Sequence, residues 1–397
     1  MAKENTNRQR LLSIMAVAVV FIFAAFLILS SEYNSTGHAT ADEQQYVSVN
    51  NEVDYSNEYY SPSSGKSVEY LSSQQTSGLG PEYSASYGNV ISTPGIKNQR
   101  ASVLLYNLFM SSATNQIAKD TRISITNTHP TQSVIVHLFF VADVGVSDFK
   151  TTLTAMQTYS FLTSDFAPGS TGYIIAIAEN NQGMPINFNY LAGDEYFRDA
   201  INTNDKYFGG IDAIGFDAIA GTEGGVMPDL GNDLNMGRAT LKFDGVNYAY
   251  PAGLCRIPNI PSRACNDRMI VVFNAFGGSL MTGTATIGSG DNALFGLLYD
   301  DAEQSQSFTI GGGYQKVGEL TNTFPATVPR FDSVIPAGRS GWMEVWSKNS
   351  GVALYGAYIV YSQQEGTNFF GAELLDCIPM EGRTATLTVP VFPLTGN

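Results

Sequence analysis

Oxygen-bearing side chains concentrate in the segment MPDLGNDLN, residues 227–235. Asp229, Asn232, Asp233 and Asn235 place hard oxygen ligands at close spacing around a glycine. Ca²⁺ accepts carboxylate and amide oxygens of this kind. The order of the residues differs from that of an EF-hand loop, and the distal Glu of that motif is absent. The segment therefore predicts either a calcium site or a plain turn-rich loop.

Neighbouring carboxylates are a second candidate for chemistry. Pairs of Asp and Glu can supply the acid and the base that cleave a glycosidic bond. Adjacent residues on a strand face opposite ways, so a consecutive pair can reach one substrate only from a turn. Most such pairs are solvated loop charges, and we expect that role here. The pairs are Asp194 with Glu195, Asp229 with Asp233, and Asp300 with Asp301.

Histidine is scarce, which limits nucleophilic catalysis. The chain contains 3 His, and only His129 and His137 lie in its globular part. No G-x-S-x-G accompanies them, so a hydrolase triad is not supported. His137 alternates with apolar residues, a pattern typical of a hydrogen-bonded residue within a sheet. We therefore predict that the protein is not an enzyme.

The three cysteines predict a disulfide, because an oxidising compartment favours pairing. Cys255 and Cys265 close a short loop that contains two prolines, and we expect this pair to form. Cys377 is then free, or it takes part in the pairing instead, because spacing does not determine connectivity. No C-x-x-C occurs and no His lies near a Cys, so zinc is not supported.

Composition excludes some classes of partner. The chain has 397 residues with 36 acidic and 21 basic side chains, a net charge of −15. Binding to nucleic acid or anionic lipid through a basic face is therefore not expected. The hydrophobic content of 44% is enough for a core, and 39 Gly, 21 Tyr and 23 Phe are typical of an extracellular all-β protein.

Residues 1–30 predict export, either as a signal anchor or as a signal peptide. Residues 11–29 are uncharged, and at about 1.5 Å per residue they nearly match a hydrocarbon core of about 30 Å. The basic residues that precede this segment are Lys3, Arg8 and Arg10. If the anchor is retained, the N-terminus is cytoplasmic and residues 11–29 hold the chain in the membrane. The alternative is cleavage after the Ala-Thr-Ala of residues 39–41. Both alternatives predict a cell-surface or secreted protein.

Residues 31–100 predict a disordered stalk. The segment is rich in Ser, Tyr and Asn and shows no sustained period, so it cannot bury enough apolar surface to offset its ordering entropy. Alternatively, part of it adds as a strand to the sheet edge of a neighbouring subunit.

Beyond the stalk, strand patterns predict an all-β fold of one or two immunoglobulin-like β-sandwiches. Residues 101–192 form the first unit, in which the apolar run at 134–141 is the better candidate for an inner strand. Residues 193–237 predict a loop-rich insertion, a length that is more often functional or disordered than connective. Residues 238–397 form a second sandwich or complete the first.

A Pro and Gly turn before a strand that begins with an aromatic residue occurs twice in the sequence. Tyr173 follows the first corner and Trp342 the second. The first resembles the E to F corner of immunoglobulin-like sandwiches, in which a Tyr hydroxyl bonds nearby backbone. The run VLLYNLF, ITNT, HLFFV, INFNYLAGDEY, GWM and TVPVFP is similar to a group of uncharacterised secreted bacterial proteins. This resemblance implies a bacterial cell-surface or secreted setting and transfers no catalytic residue.

These patterns predict a non-enzymatic extracellular surface protein that acts in adhesion or self-assembly through loops and strand edges. Its partners would be like subunits or cell-surface components, and the stalk or the C-terminal TLTVPVF could complete a neighbour's sheet. One alternative is a carbohydrate-binding module that stacks sugars on Trp342 or Trp346. Another is an enzyme that acts on polysaccharide with a cleft built from residues 193–237. No cofactor is predicted apart from the calcium alternative.

Overall fold

The computed structural model describes residues 100–143, 145–199, 207–263, 268–288, 293–364 and 367–393. All of them belong to one compact unit, Gly78–Asn397. The predicted signal segment at 1–30 and the predicted stalk as far as residue 99 lie outside the described residues. Within the described ranges, no helix is long and apolar enough to span a membrane.

Five antiparallel or mixed sheets build this unit. Sheet 1 has the order β5-β2-β7-β8, and sheet 2 has the order β4-β3-β6-β1-β9. The strands of sheet 1 are β2 (Lys119–Asn127), β5 (Thr158–Leu162), β7 (Leu191–Asp199) and β8 (Tyr207–Asp212). The strands of sheet 2 are β1 (Val103–Met110), β3 (Val134–Ala142), β4 (Gly145–Leu153), β6 (Thr171–Glu179) and β9 (Ile214–Phe216).

The second half of the chain forms the other three sheets. Sheet 3 has the order β17-β12-β19-β20, sheet 4 the order β16-β15-β18-β11-β21, and sheet 5 the order β10-β22-β13-β14. Sheet 3 contains β12 (Arg268–Phe276), β17 (Gln315–Glu319), β19 (Ala353–Gln364) and β20 (Thr367–Leu374). Sheet 4 contains β11 (Ala252–Pro261), β15 (Leu294–Asp300), β16 (Ser305–Ile310), β18 (Ser340–Ser347) and β21 (Asp376–Pro379). Sheet 5 contains β10 (Arg238–Phe243), β13 (Gly278–Ser279), β14 (Gly283–Thr284) and β22 (Ala385–Pro390). Helix α1 (Phe331–Val334) and 3₁₀ turns at Thr163–Asp165 and Leu234–Met236 are the short helical pieces.

Three apolar cores place sheets 1 to 4 in successive layers. The first core lies between sheets 1 and 2, and Ile123 and Phe140 belong to it. The central core joins sheet 2 to sheets 3 and 5, and Phe216 lies at its centre among aromatic rings. The third core lies between sheets 3 and 4 and includes Val271 and Val345. Sheets 2 and 3 are therefore the inner layers, and each packs against an apolar core on both of its faces. Each fully buried large apolar side chain contributes about 1.5–3 kcal/mol to stability.

Sheet 2 is covered on both faces, which explains its composition. The strands β1 and β3 are buried along their full length. A sheet that meets apolar neighbours on both faces reads as a continuous apolar run instead of an alternating one. The prediction of an inner strand at residues 134–141 is thus confirmed.

Polar side chains cross the central core and tie the two halves together. Asn274 Nδ2 donates to the backbone oxygen of Asn107 at 2.8 Å, and Gln315 Nε2 donates to the same oxygen at 3.2 Å. The Tyr173 hydroxyl donates to the Ala275 carbonyl at 3.2 Å. The resemblance to an immunoglobulin-like corner implied a bond to nearby backbone, but this bond reaches a residue of the second half. The Tyr173 ring faces the central core, and its hydroxyl therefore meets a backbone carbonyl of sheet 3.

Two sequence expectations change at the strand level. Residues 193–237 contain most of β7, all of β8 and all of β9, so the loop-rich stretch begins only after Phe216. The inward position of Glu195 interrupts the apolar alternation of β7. The C-terminal TLTVPVF is not free to complete a neighbour's sheet, because its residues in β22 pair with β10 and with β13 in the chain's own sheet 5.

Candidate functional site

The outward side of sheet 4 carries apolar side chains where solvent-facing residues are usually polar. Along β18, Met343 and Val345 point into the core shared with sheet 3, so Trp342, Glu344 and Trp346 point away from it. Both tryptophans of the chain are therefore on this side. We call it the aromatic face. Its members are Leu254, Arg256, Phe295, Leu297, Tyr299, Trp342, Glu344, Trp346 and Ile378.

Cross-strand pairing arranges the rings of the aromatic face. The register of β15 with β18 sets Tyr299 opposite Trp342 and Phe295 opposite Trp346. The Tyr299 and Trp342 rings are parallel within 2°, with centroids 4.1 Å apart. The Phe295 and Trp346 centroids are 4.9 Å apart. Aromatic pairs contribute about 0.5–1.5 kcal/mol beyond the area they bury.

A buried ion pair lies among these rings. Arg256 and Glu344 are opposite each other in the register of β11 with β18, and Arg256 Nε donates to Glu344 Oε1 at 2.7 Å. Glu344 is only 1% exposed. Burial raises the pKa of its carboxyl group, and the Arg256 guanidinium partly offsets that rise. Within the described residues, Glu344 Oε2 has no hydrogen-bond partner. The face therefore holds one buried acceptor atom without a hydrogen-bond partner.

Strand β16 borders the aromatic face and leaves one edge of sheet 4 open. Its sequence, SQSFTI, has no charge and no proline. It pairs with β15 through consecutive residues from Leu294↔Ile310 to Tyr299↔Ser305 without a bulge. No described strand pairs with its other side. Proteins usually protect such an edge with Lys, Pro or a bulge, and β16 has none of these.

The residues predicted to bind calcium are partly committed to other contacts. Asp229 has a left-handed backbone, with φ of 55°, and its carboxylate forms an ion pair with Lys242. Asp233 precedes the 3₁₀ turn at Leu234–Met236 without capping it through its side chain. Asn232 and Asn235 are both exposed. Among the described residues, no group of three His, Cys, Asp or Glu is placed to hold a metal. Calcium binding stays a prediction.

The consecutive carboxylate pairs are separated as strand geometry requires. Glu195 is buried and Asp194 is exposed on the other side of β7. Both Glu195 oxygens accept the Leu108 amide, at 3.2 and 3.3 Å, where a bulge interrupts β1. Asp300 Oδ1 accepts the amides of Ala302 and Gln304, and Asp301 pairs with Arg339. These contacts are structural, and none of them brings two carboxylates to one site.

The partner predicted for Cys255 in the disulfide was wrong. Cys255 is bonded to Cys377 instead of Cys265. The reason is register, because antiparallel pairing of β11 with β21 sets the two residues opposite each other with Cα atoms 4.0 Å apart. Cys265 lies outside the described residues. Sequence spacing favoured the short loop, but the bond links positions that are 122 residues apart.

His137 is a buried sheet residue, as its alternation predicted. Its ring is 0% exposed and contacts two carboxylates, Glu179 and Asp148. The sequence analysis did not identify Glu179, the partner of His137, or the ion pair of Arg256 with Glu344. Arg256 and Glu344 could have been singled out because a charged residue interrupts the outward-facing aromatic residues of GWMEVW. Glu179 ends an apolar run and gives no comparable signal.

Comparisons with known proteins give little help. No family model and no curated protein matches the chain. The crystal structure of Thermotoga maritima 1070 is similar over 29% of this chain and 94% of that one, with 10% identity and a TM-score of 0.23. The viral chemokine binding protein R17 of rodent gammaherpesvirus Peru is similar over 72% of this chain and 88% of that one, with 8% identity and a TM-score of 0.12. Both TM-scores are too low to show a shared fold.

Proposed function

We propose that this chain is a non-enzymatic extracellular surface protein that assembles with copies of itself through the aromatic face and the open edge of β16. We also propose that its sandwiches are immunoglobulin-like and that it is exported by residues 1–30. The disulfide between Cys255 and Cys377 supports the extracellular setting, because such bonds persist in oxidising compartments.

The observation that carries this proposal is the pairing of an apolar outward face with an unprotected edge. An antiparallel sheet with one solvated face normally alternates apolar and polar residues. In sheet 4 the outward positions of β15 are Phe295, Leu297 and Tyr299, all half-buried. An apolar patch of this kind usually marks an interaction surface.

A second copy fits the edge better than an unrelated strand does. Two β16 strands in antiparallel register present the same surface to each other, which gives a closed two-fold interface. The outward side chains of β16 are Ser305, Ser307 and Thr309, so no like charges would meet across the interface. Phe308 and Ile310 on its inner side would continue the core between sheets 3 and 4.

The carbohydrate-binding alternative has weaker support on this face. Trp346 is only 3% exposed, so a sugar ring cannot stack on it without a rearrangement. One side of the Trp342 ring is covered by Tyr299. The consecutive pairs Asp194–Glu195 and Asp300–Asp301 give the enzyme alternative no support, since the members of each pair make separate contacts.

Sedimentation of the purified protein over a range of concentrations tests self-assembly. We expect the wild type to associate, and we expect the triple variant Ser305→Lys, Ser307→Lys, Thr309→Lys to associate at least about tenfold more weakly, since like charges meet across the edge. Val317→Lys is the matched control, because it adds a charge to β17, an edge strand that already contains Lys316 and Glu319. A wild type that stays monomeric at high concentration, or a triple variant that associates normally, would refute the proposal.

A further inference from the structure

A cleft of about 240 Å³ lies at one end of sheet 2, remote in sequence from the aromatic face. It forms where β3 begins, where β4 and β6 end, and where the loop that contains Gly224 approaches. The residues that matter for its chemistry are Gln132, Ser133, Thr152, Glu179, Asn181 and Phe188. Its volume is below the roughly 300 Å³ at which pockets for drug-sized ligands begin, so it can take about one small ring.

One wall of the cleft is held rigidly by His129. Its Nδ1 accepts the amides of Thr131 at 3.1 Å and Gln132 at 2.8 Å, so the ring proton is on Nε2. Nε2 then donates to Glu223 Oε1 at 3.1 Å, and the Tyr190 hydroxyl donates to Glu223 Oε2 at 3.0 Å. The loop beside Gly224 is thereby fixed before any ligand arrives.

The backbone completes this wall. The Gly224 amide donates to the Asn187 carbonyl at 2.7 Å, and the Asn187 amide donates to the Gly225 carbonyl at 2.9 Å. The Asn187 side chain also donates to the Ala220 carbonyl at 2.9 Å. Preorganised groups of this kind reduce the ordering cost that binding must offset.

The floor of the cleft is a buried charge cluster. Glu179 is 1% exposed, its Oε1 lies 2.8 Å from His137 Nδ1, and its Oε2 accepts from Lys150 Nζ at 2.6 Å. His137 Nε2 lies 2.7 Å from Asp148 Oδ2. Both Glu179 oxygens therefore have partners inside the protein, and the ion pair with Lys150 leaves no unpaired carboxylate on the floor.

The C-terminal segment closes the far side of this cluster. Lys150 Nζ donates to the Phe392 carbonyl at 2.8 Å, and the Phe392 ring lies 4.2 Å from the same nitrogen. The Phe392 and His137 rings are 5.3 Å apart. The charges are thus satisfied within the protein and need no counter-ion from a ligand.

We propose that this cleft binds one ring of a neutral polyhydroxyl compound, a saccharide. The rim supplies the amides of Gln132 and Asn181 and the hydroxyls of Ser133 and Thr152, all on exposed residues. These groups both donate and accept, as sugar hydroxyls do. Phe188 lies in the inner wall of the cleft, with only 1% of its surface exposed. The paired charges of the floor favour a neutral ligand over an ionised one. The cleft is separate from the aromatic face, so the proposal does not rest on self-assembly.

Saturation-transfer NMR on the full chain tests this with glucose, galactose, mannose, N-acetylglucosamine and the acidic probe glucuronate at millimolar concentration. We expect at least one neutral probe to bind more tightly than glucuronate. The double variant Gln132→Ala, Asn181→Ala should weaken that binding by roughly tenfold or more, because it removes two hydrogen-bonding groups. Gln182→Ala, an exposed amide next to Asn181 that does not line the cleft, should leave it unchanged.

Three results would overturn the saccharide site: no neutral probe binds, glucuronate binds best, or the double variant binds like the wild type. Ser133→Trp gives a second check, since an indole at the rim should block the cleft while the thermal melt stays near that of the wild type. Sedimentation of these variants should match the wild type, which separates failure of this site from failure of self-assembly.

Discussion

The outward faces of sheets 1 and 4 occupy equivalent places in the stack and differ in chemistry. On sheet 1, the Thr126 and Thr158 hydroxyls are 2.8 Å apart, the Ser160 hydroxyl donates to Ser124 at 3.1 Å, and Arg122 lies over Tyr196. On sheet 4, the corresponding cross-strand pairs are aromatic. A face adapted to water satisfies its hydroxyls and charges locally. The contrast supports the proposal that sheet 4, and not sheet 1, meets a partner.

Each outer sheet also holds a buried glutamate, and the two are placed differently. Glu195 of sheet 1 points inward and accepts the Leu108 amide at the bulge in β1. Glu344 of sheet 4 points outward and uses one oxygen on Arg256. Burial raises the pKa of both carboxyl groups. The inward carboxyl group is hydrogen-bonded to the backbone, whereas the outward one has an oxygen without a hydrogen-bond partner.

The largest difference between the two outer sheets should come from the disulfide, which constrains only sheet 4. Cys255→Ala with Cys377→Ala should lower the free energy of unfolding by about 4–5 kcal/mol, the value expected for a closed loop of roughly 120 residues. Urea denaturation measures this loss. A reductant should destabilise the wild type similarly and leave the variant unchanged. Equal stability of the two proteins would show that the bond contributes little.

Removing one ring from each outward face gives the next largest effect. Trp346→Ala should cost about 3 kcal/mol, because its buried side chain packs against Phe295. Tyr196→Ala should cost less than about 1 kcal/mol, since that ring is exposed and makes a cation–π contact with Arg122. Thermal or urea unfolding of the pair compares them directly. Similar losses would mean that the two faces are packed alike.

Glu195 and Glu344 should also differ in how much they contribute to the pH dependence of the free energy of unfolding. This difference should be smaller than the two effects above. Because the folded pKa of Glu195 is raised, its contribution is fully present below the ordinary carboxyl pKa and is lost as pH rises towards the folded pKa. The loss approaches about 1.4 kcal/mol per pH unit inside that window. Glu195→Gln should flatten this part of the profile.

Glu344→Gln is the matched variant on the other face, and it should change the profile less. Arg256 offsets part of the burial effect on the Glu344 pKa, so the window over which stability is lost is narrower. Urea unfolding at a series of pH values above 4 gives both profiles. If the free energy of unfolding of the Glu195→Gln variant falls with pH as steeply as that of the wild type, the buried placement of the Glu195 carboxyl group would be contradicted.

Local pattern predicted much of this architecture, and its failures have specific causes. Residues 134–141 were identified as an inner strand because an uninterrupted apolar run needs cover on both faces. The strand at Leu191–Asp199 was missed because the charged residue Glu195 occupies an inward position where an apolar residue is expected. The pairing of Cys255 was missed because it depends on the register of two strands far apart in the chain. The cleft beside Gly224 was missed because its residues come from four separate segments.

By itself, the sequence determined that the chain is all-β, that apolar residues alternate along most strands, and that His137 belongs inside a sheet. Only the tertiary structure decided which side of each strand faces water. In β18 the alternation is equally consistent with Trp342 and Trp346 in the core or outside it. Packing of Met343 and Val345 against sheet 3 makes that choice, because both sides of the strand are apolar enough to be buried and only one sheet covers them.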